Sequence, residues 1–332
     1  IFLIPTYLFF NRKLINKILA FFLTFFILFF FYIYGNHTLN LNKKYLNSIE
    51  QRLNIKVISP NFELEYGISP KEIRSRLQKL IKYSEPNINE KTLFIWPEGV
   101  FSGYDYMQII ELRKVISKSF KSNHYILFGI NRFNKEKNGY HNSLIVVDNN
   151  LTIIQEYSKQ KLVPFGEFLP FENFLNKLGI KKITEGYGSF LKGDKKGNIK
   201  ILEANILPLI CYEIIFTELI QSSYKDTNII INISEDGWFG DSIGPHQHFA
   251  KGIFRAIEQN AFFIRSANKG ISAIINNKGQ IVKKLNLNEA GNIEFVVPLI
   301  QNKNKNKNDL IFFVLLISYI FIFKFYKKNN GK

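Results

Sequence analysis

Apolar and polar positions divide the chain into two long apolar ends and a patterned middle. Ile18–Tyr34 is an uninterrupted run of 17 residues without a charge, preceded by Arg12, Lys13 and Lys17. Its length lies at the short end of what spans a bilayer, and its basic flank predicts entry from the cytoplasmic side. A signal peptide has the same basic-then-apolar order. No small-residue cleavage site follows the run, however, and Ile1–Phe10 is itself apolar. A retained transmembrane helix over 18–34 is therefore expected, with 1–10 the remnant of an earlier membrane segment in a longer protein. Leu310–Phe323 is the second run, and snorkelling of Lys324 would extend a C-terminal helix over 310–326. Lys327 and Lys328 then keep the C-terminus cytoplasmic, while the Asn-Lys alternation around Lys303, Lys305 and Lys307 reads as a solvated linker. The expected topology is in, out, in, with one large external domain.

In the middle, short apolar bursts alternate with helical spacing. Ile55–Ser59 is strand-like and closed by Pro60-Asn61, and Pro70–Tyr83 carries Ile73, Leu77, Leu80 and Ile81 at helical intervals. Thr92–Trp96 predicts a buried strand running into Pro97-Glu98-Gly99, Glu111–Phe120 a helix and Tyr125–Ile130 a strand. Ser143–Val147 and Leu151–Gln155 predict a hairpin, and Ile206–Ile210 and Ile229–Ile233 two further buried strands. Phe249–Asn260 is helical, and Phe262–Ser266 and Ile271–Asn276 are strands that turn at Asn268-Lys269-Gly270. Strands alternating with helices predict an α/β fold for about 53–300. Internal repeats, a Walker loop, G-x-G-x-x-G and H-E-x-x-H are all missing from the sequence.

Composition narrows the chemistry. One cysteine in 332 residues excludes a disulfide framework and a multi-cysteine metal site. The net charge is +17, but seven basic residues and no acidic ones lie in the apolar ends or their flanks. That leaves 37 basic against 27 acidic residues between, a balance of +10. A nucleic acid or an anionic membrane surface would each explain the excess.

Three residues at strand ends or in tight loops are candidates for chemistry. Cys211 ends the run Ile206–Ile210, and Ile214, Ile215, Leu219 and Ile220 follow at helical spacing. A thiol at such a handover can be exposed while the helix's positive end lowers its pKa. A small buried hydrophobe is the other reading of a lone cysteine. Glu98 follows a strand's C-terminal end, where α/β folds place their sites. Lys161 lies in a loop fixed by Pro164, Gly166 and Pro170, which also carries Glu167. A base, a cation and a thiol converging at one sheet edge would make a nucleophilic site. A solvated loop carboxylate and a surface lysine beside Lys159 are the other readings of Glu98 and Lys161.

Six motifs occur in order: Trp96-Pro-Glu-Gly99, Lys161-Leu-Val-Pro-Phe-Gly-Glu167, Ile210-Cys-Tyr-Glu213, Asn232-Ile-Ser-Glu-Asp-Gly-Trp-Phe-Gly240, Gln247-His248 and Arg255-Ala-Ile-Glu258. With them, residues 53–300 resemble the nitrilase-type (carbon–nitrogen hydrolase) domain of the apolipoprotein N-acyltransferase family, which also fits flanking membrane helices. The resemblance implies an αββα sandwich with a Glu-Lys-Cys triad and no cofactor or metal. Glu98 would be the general base, Lys161 the oxyanion-stabilising cation and Cys211 the nucleophile. Glu167 and Glu213 match further carboxylates of that family's site, and Tyr212 and Trp238 match residues lining it. The implied reaction takes an acyl chain from a membrane phospholipid onto the cysteine. A diacylglyceryl-cysteine amine at a lipoprotein's N-terminus then receives it. The partners are thus lipid, apolipoprotein and the bacterial cytoplasmic membrane, with the domain on its periplasmic side and no nucleic acid.

The aromatic run Phe165, Phe168, Leu169, Phe171 and Phe174 fits either a lipid-dipping edge or core packing. The chain departs from the family in its single membrane helix and fragment ahead of the domain, and in Glu235, where Asn or a small polar residue is expected. Two other functions share the motifs: an amidase of the same superfamily that lets water resolve the acyl-enzyme, and an inactive membrane protein that binds lipid or lipoprotein.

Overall fold

The computed structural model describes residues 14–65, 67–177, 179, 188–194, 197–221, 227–301, 312–321 and 324. The chain divides into two compact units, Ile1–Arg52 and Leu53–Lys332. In the first, α1 (Leu14–Ser48) is a helix of 35 residues, long and apolar enough to cross a membrane. Its aromatic side chains, among them Phe21, Phe22, Phe26 and Tyr32, are exposed, and it has no polar face in its apolar half. The expected span 18–34 lies inside it. The helix continues past Gly35 because the residues that follow include no proline, and a lone glycine costs a helix only about 1 kcal/mol. Residues 1–10 lie outside the described residues. Of 310–326, the described residues include an apolar helix over Phe312–Phe321.

The second unit contains two six-stranded sheets. The first runs β12-β1-β2-β3-β4-β5, with β1 Arg52–Ser59, β2 Thr92–Ile95, β3 His124–Asn134, β4 Gly139–Val147, β5 Ile153–Ser158 and β12 Gly291–Pro298. The second runs β11-β10-β9-β8-β7-β6, with β6 Ile199–Ile201, β7 Ala204–Ile210, β8 Ile229–Glu235, β9 Phe262–Asn268, β10 Ser272–Ile275 and β11 Ile281–Leu285. Parallel pairing at the centre of each sheet explains the continuous apolar runs, since both faces are covered. On the outer face of the first sheet, Ile58, Phe94, Trp96, Ile126 and Phe128 pack against α2 (Pro70–Ser84) and α3 (Arg113–Ser119) through Leu77, Leu80 and Ile116. On the outer face of the second, Leu207, Leu209, Ile230 and Phe263 pack against α4 (Gly244–Gln259) through Phe249 and Ala256. The inner faces meet, with Ser266 Oγ donating to the Ile58 carbonyl (2.8 Å) and Phe262 stacked on Phe295. This is the expected four-layer αββα arrangement.

Local chemistry places the boundaries. Ser69 caps α2 by accepting from the Glu72 N–H (3.2 Å), and Pro70 opens it; α4 ends at Asn260 in a left-handed conformation. Two expectations shift. The helix expected over 111–120 is a 3₁₀ turn, Ile110–Leu112, followed by α3. The helix expected directly after Cys211 is a five-residue 3₁₀ turn, Cys211–Ile215, and then a short helix, Thr217–Gln221. Strands β6, β11 and β12 carry weak or polar patterns and were not expected.

Candidate active site

The strand ends place the chemistry. Glu98 lies just beyond β2, Cys211 just beyond β7 and Lys159 just beyond β5. All three line one cavity of about 960 Å³, together with Glu167, Tyr212 and Trp238. That volume is near the top of the usual small-molecule range, roughly 300–1,000 Å³. Apolar side chains such as Phe101, Phe190, Ile215 and Phe239 share the lining.

The cation at this site is Lys159, which corrects the expectation for Lys161. Lys159 is 1% exposed, and its Nζ lies 2.8 Å from Glu167 Oε1 and 3.7 Å from Glu98 Oε1. Lys161 points elsewhere: its Nζ pairs with Glu218 (2.8 Å) and sits over the Phe216 ring, a third exposed. Continued extended structure would put both lysines on one face. The chain bends at Gln160-Lys161 instead, because the Glu213 carboxylate captures both backbone N–H groups, at 2.7 and 3.1 Å. Glu213 is fully buried and does not line the cavity; it also accepts from Tyr157 OH and from the Ile210 N–H. It thus ties the lysine loop to the end of β7, and burial raises its carboxyl's pKa against those hydrogen bonds.

Glu98 accepts from Asn142 Nδ2 (2.7 Å) and from the Glu235 backbone N–H (3.0 Å). Asn142 bridges to Glu167 as well (2.8 Å), and the Val163 N–H donates to Glu167 Oε2 (2.9 Å). Burial alone would lower the Lys159 pKa, but Glu167 and Glu98 outweigh it and hold the ammonium charged. Burial pushes the Cys211 thiol up to about 12, and Glu98 adds to that while Lys159 opposes it. The resting Cys211 side chain is therefore a neutral thiol, contrary to the lowered pKa expected from a helix end. A five-residue 3₁₀ turn carries little dipole, and the carboxylate facing the sulfur works the other way. Cys211 also holds φ at 48°, a left-handed conformation that costs a non-glycine residue on the order of 1–3 kcal/mol.

Tyr212 packs edge-on against Phe216, and Trp238 is half-exposed at the turn after β8. Glu235 is buried at the cavity wall, accepting from Gly237 N–H and Asn268 Nδ2, and burial raises its pKa to about 8. Sequence reasoning missed Lys159 and Asn142. Lys159 occupies the same kind of strand-end position as Glu98 and Cys211, but the hairpin strand was expected to stop at Gln155, which hid it. Asn142, inside a strand, carries no such signal. Among the described residues, no cluster of three or more His, Cys, Asp or Glu side chains is arranged to hold a metal ion.

A two-sheet sandwich with a cysteine, a carboxylate and a lysine at its strand ends defines a nitrilase-like α/β protein. The carbon–nitrogen hydrolase family model matches residues 67–301, and the chain belongs to that family. It is similar to the apolipoprotein N-acyltransferase of Wigglesworthia glossinidia brevipalpis, 35% identical over 77% of this chain and 52% of that protein. The apolipoprotein N-acyltransferase of Rickettsia prowazekii (strain Madrid E) is 34% identical over 87% of this chain and 58% of that protein. The chain thus spans little more than half the length of these relatives. Among solved structures, Saccharomyces cerevisiae Nit3, a member of branch 10 of the nitrilase superfamily, shares the fold. Its TM-score is 0.55 at 16% identity, covering 75% of this chain and 91% of that one.

Proposed function

We propose that this chain is the catalytic part of an apolipoprotein N-acyltransferase, with Cys211 as nucleophile, Glu98 as general base and Lys159, in place of Lys161, as the oxyanion's cation. The observation that carries the reading is that these three residues line one large cavity with apolar walls. The names of its relatives point the same way.

In the first half-reaction Glu98 takes the Cys211 proton as the sulfur attacks an ester carbonyl of a membrane phospholipid. A base is needed at that moment because the resting thiol is protonated. Lys159 Nζ–H and the Tyr212 backbone N–H hold the oxyanion. Collapse breaks the ester C–O bond, the lysophospholipid oxygen leaves with the proton held by Glu98, and a thioester remains. In the second half-reaction the α-amine of a diacylglyceryl-cysteine attacks the thioester. Glu98 accepts the amine proton, the C–S bond breaks, and the proton returns to sulfur. Glu167 and Asn142 hold Lys159 and Glu98 in place throughout, while Tyr212 and Trp238 flank the acyl chain. The site lies outside the cytoplasmic membrane, with α1 as an anchor, so both lipids reach it from the bilayer.

The test uses membrane-reconstituted chain, phospholipid with a labelled acyl group and a diacylated lipopeptide. A hydroxylamine-sensitive adduct that chases to the peptide amine and is lost in Cys211→Ala supports the transferase. Release of labelled free fatty acid instead indicates a hydrolase, and no adduct in a folded chain overturns catalysis.

The aromatic run beside Glu167 divides in two. Leu169 is buried, whereas Phe171 is 85% and Phe174 62% exposed. Phe165 is exposed as well, and the two most exposed, Phe171 and Phe174, are proposed to enter the lipid surface. Phe171→Ser with Phe174→Ser should lower activity on vesicles several-fold and leave the melting temperature alone; unchanged vesicle activity removes the idea.

A further inference from the structure

Beside Cys211 lies a buried polar cluster that the mechanism above does not use. Asp236, 1% exposed, receives Arg265 Nη2 at 2.6 and 2.8 Å on its two oxygens and Ser234 Oγ at 2.7 Å. Arg265 is fully buried, donates its Nε–H to the Ile271 carbonyl and its Nη1–H to Asn232 Oδ1, and so has a single orientation. His248, on α4, completes the cluster. Its Nδ1 lies 3.0 Å from Asp236 Oδ1 and 3.0 Å from Arg265 Nη2, and its Nε2 lies 3.1 Å from the Cys211 carbonyl oxygen.

A carbonyl oxygen only accepts, so Nε2 must carry the proton whichever group Nδ1 engages. The hydrogen bond from His248 to Cys211 thus persists in both charge states of the ring. The Cys211 carbonyl and the Tyr212 N–H belong to one planar peptide and point in opposite directions. Holding one aims the other. The same bond restrains Cys211 where its backbone is strained, at φ 48°. Tyr212 N–H also sits in the first turn of the 3₁₀ segment, where N–H groups lack partners within the helix.

We propose that His248 is a positioning residue for acyl transfer: braced by Asp236 and Arg265, it fixes the Cys211–Tyr212 peptide so that the Tyr212 N–H meets the developing oxyanion. This rests on the reading of Cys211 as the acylated nucleophile. It does not depend on which acyl donor the protein uses.

Two reactions at the same sulfur separate positioning from folding. Acylation by p-nitrophenyl acetate passes through a tetrahedral oxyanion: the S–C bond forms, p-nitrophenolate leaves, and the thiol proton goes to Glu98. Alkylation by iodoacetamide displaces iodide at a saturated carbon and forms no oxyanion. In the full chain, His248→Ala should lower the ratio of acylation to alkylation rates about 100-fold, the scale of losing one oxyanion donor. Alkylation itself should stay within about threefold. His248→Gln, whose amide N–H reaches the place of Nε2, should recover the ratio to within about tenfold of wild type. An unchanged ratio in His248→Ala overturns the proposal. So does a parallel fall of both reactions in both variants with a lowered melting temperature, which marks a folding role alone. A wild-type chain that the ester does not acylate at Cys211 overturns it too. Acylation by the ester but not by phospholipid, with the ratio still responding to His248, would instead sink the lipid reading and leave this one standing.

Discussion

The two sheets contribute to the cavity in different ways. The first supplies Glu98, Asn142, Lys159 and Glu167, a chain of charges in which one ammonium is shared between two carboxylates. The second supplies Cys211 on a strained backbone and, next to it, the closed Asp236–Arg265–His248 cluster. In the proposed reaction Glu98 exchanges protons on the first side, and the two carboxylates there are partly accessible, at 13% each. On the second side only the Cys211 thiol gives up a proton in the proposed reaction. Burial alone would raise the Asp236 pKa, but Arg265 and His248 outweigh it and keep the carboxylate charged. In the proposed reading one wall carries the base and the cation, and the other carries the thiol and the cluster that holds its backbone.

The largest effect that would break this contrast lies in the two lysines. Lys159→Met should lower the rate of adduct formation about 1,000-fold, since it removes the cation proposed for the oxyanion and leaves Glu98 and Glu167 facing each other unneutralised. Lys161→Met should stay within about threefold, because it breaks a pair with the exposed Glu218 and a contact over the Phe216 ring, both away from the cavity lining. Rapid-quench measurement of the labelled thioester decides, and equal losses in the two variants would refute the assignment of Lys159.

On the second wall the cost should appear in stability. Arg265→Met leaves the buried Asp236 without its arginine, with only Ser234 and His248 beside it, and should destabilise the domain by about 3–5 kcal/mol in urea unfolding. A loss below about 1 kcal/mol would mean that the cluster is not the brace described.

The Cys211 thiol sharpens the comparison through pH. With its pKa raised from about 9 in an unfolded chain to about 12, it should show no thiolate plateau near neutrality. Iodoacetamide alkylation in the resting chain should keep rising past pH 9, and a midpoint near 7 would contradict the neutral resting thiol. The sign for stability follows: the folded chain binds the thiol proton more tightly, so this contribution is complete below pH 9 and lost as pH rises through 12.

A second pH effect is expected at Glu235. Its carboxyl titrates near 8 when folded, above the ordinary 4.5, so its contribution is complete below pH 4.5 and lost as pH rises through 8. Relative to Glu235→Gln, the wild type should lose up to about 1.4 kcal/mol per pH unit between 5 and 8. Denaturation of the two proteins at those pH values measures it, and a constant difference would place the Glu235 charge outside the buried wall.

Much of this was legible in the chain itself. Mostly apolar runs predicted β1, β2, β3, β7, β8 and β9, because strands covered on both faces take a polar residue only where it finds a partner, as Arg265 does in β9. The 3.6-residue spacing of Ile73, Leu77 and Leu80 predicted α2 for a similar reason, since one stripe meets the sheet. Glu98 and Cys211 could be found because a polar residue ending such a run stands out locally. The edge strands β6, β11 and β12 could not, since half-exposed strands are free to be polar; four of the five residues of β11 are exposed.

Tertiary structure alone decided between Lys159 and Lys161. Both sit in the same Lys-Gln-Lys, and the choice depends on Glu213, more than fifty residues away, capturing the intervening backbone and bending the chain. It alone decided the thiol's protonation as well, which reflects the burial of Cys211 and a carboxylate from the opposite sheet. Strand identity is written in local periodicity, because burial on one or two faces constrains neighbouring residues in register. Which charged groups share a cavity, and at what pKa, depends on distances between segments far apart in the chain, and local pattern does not encode those.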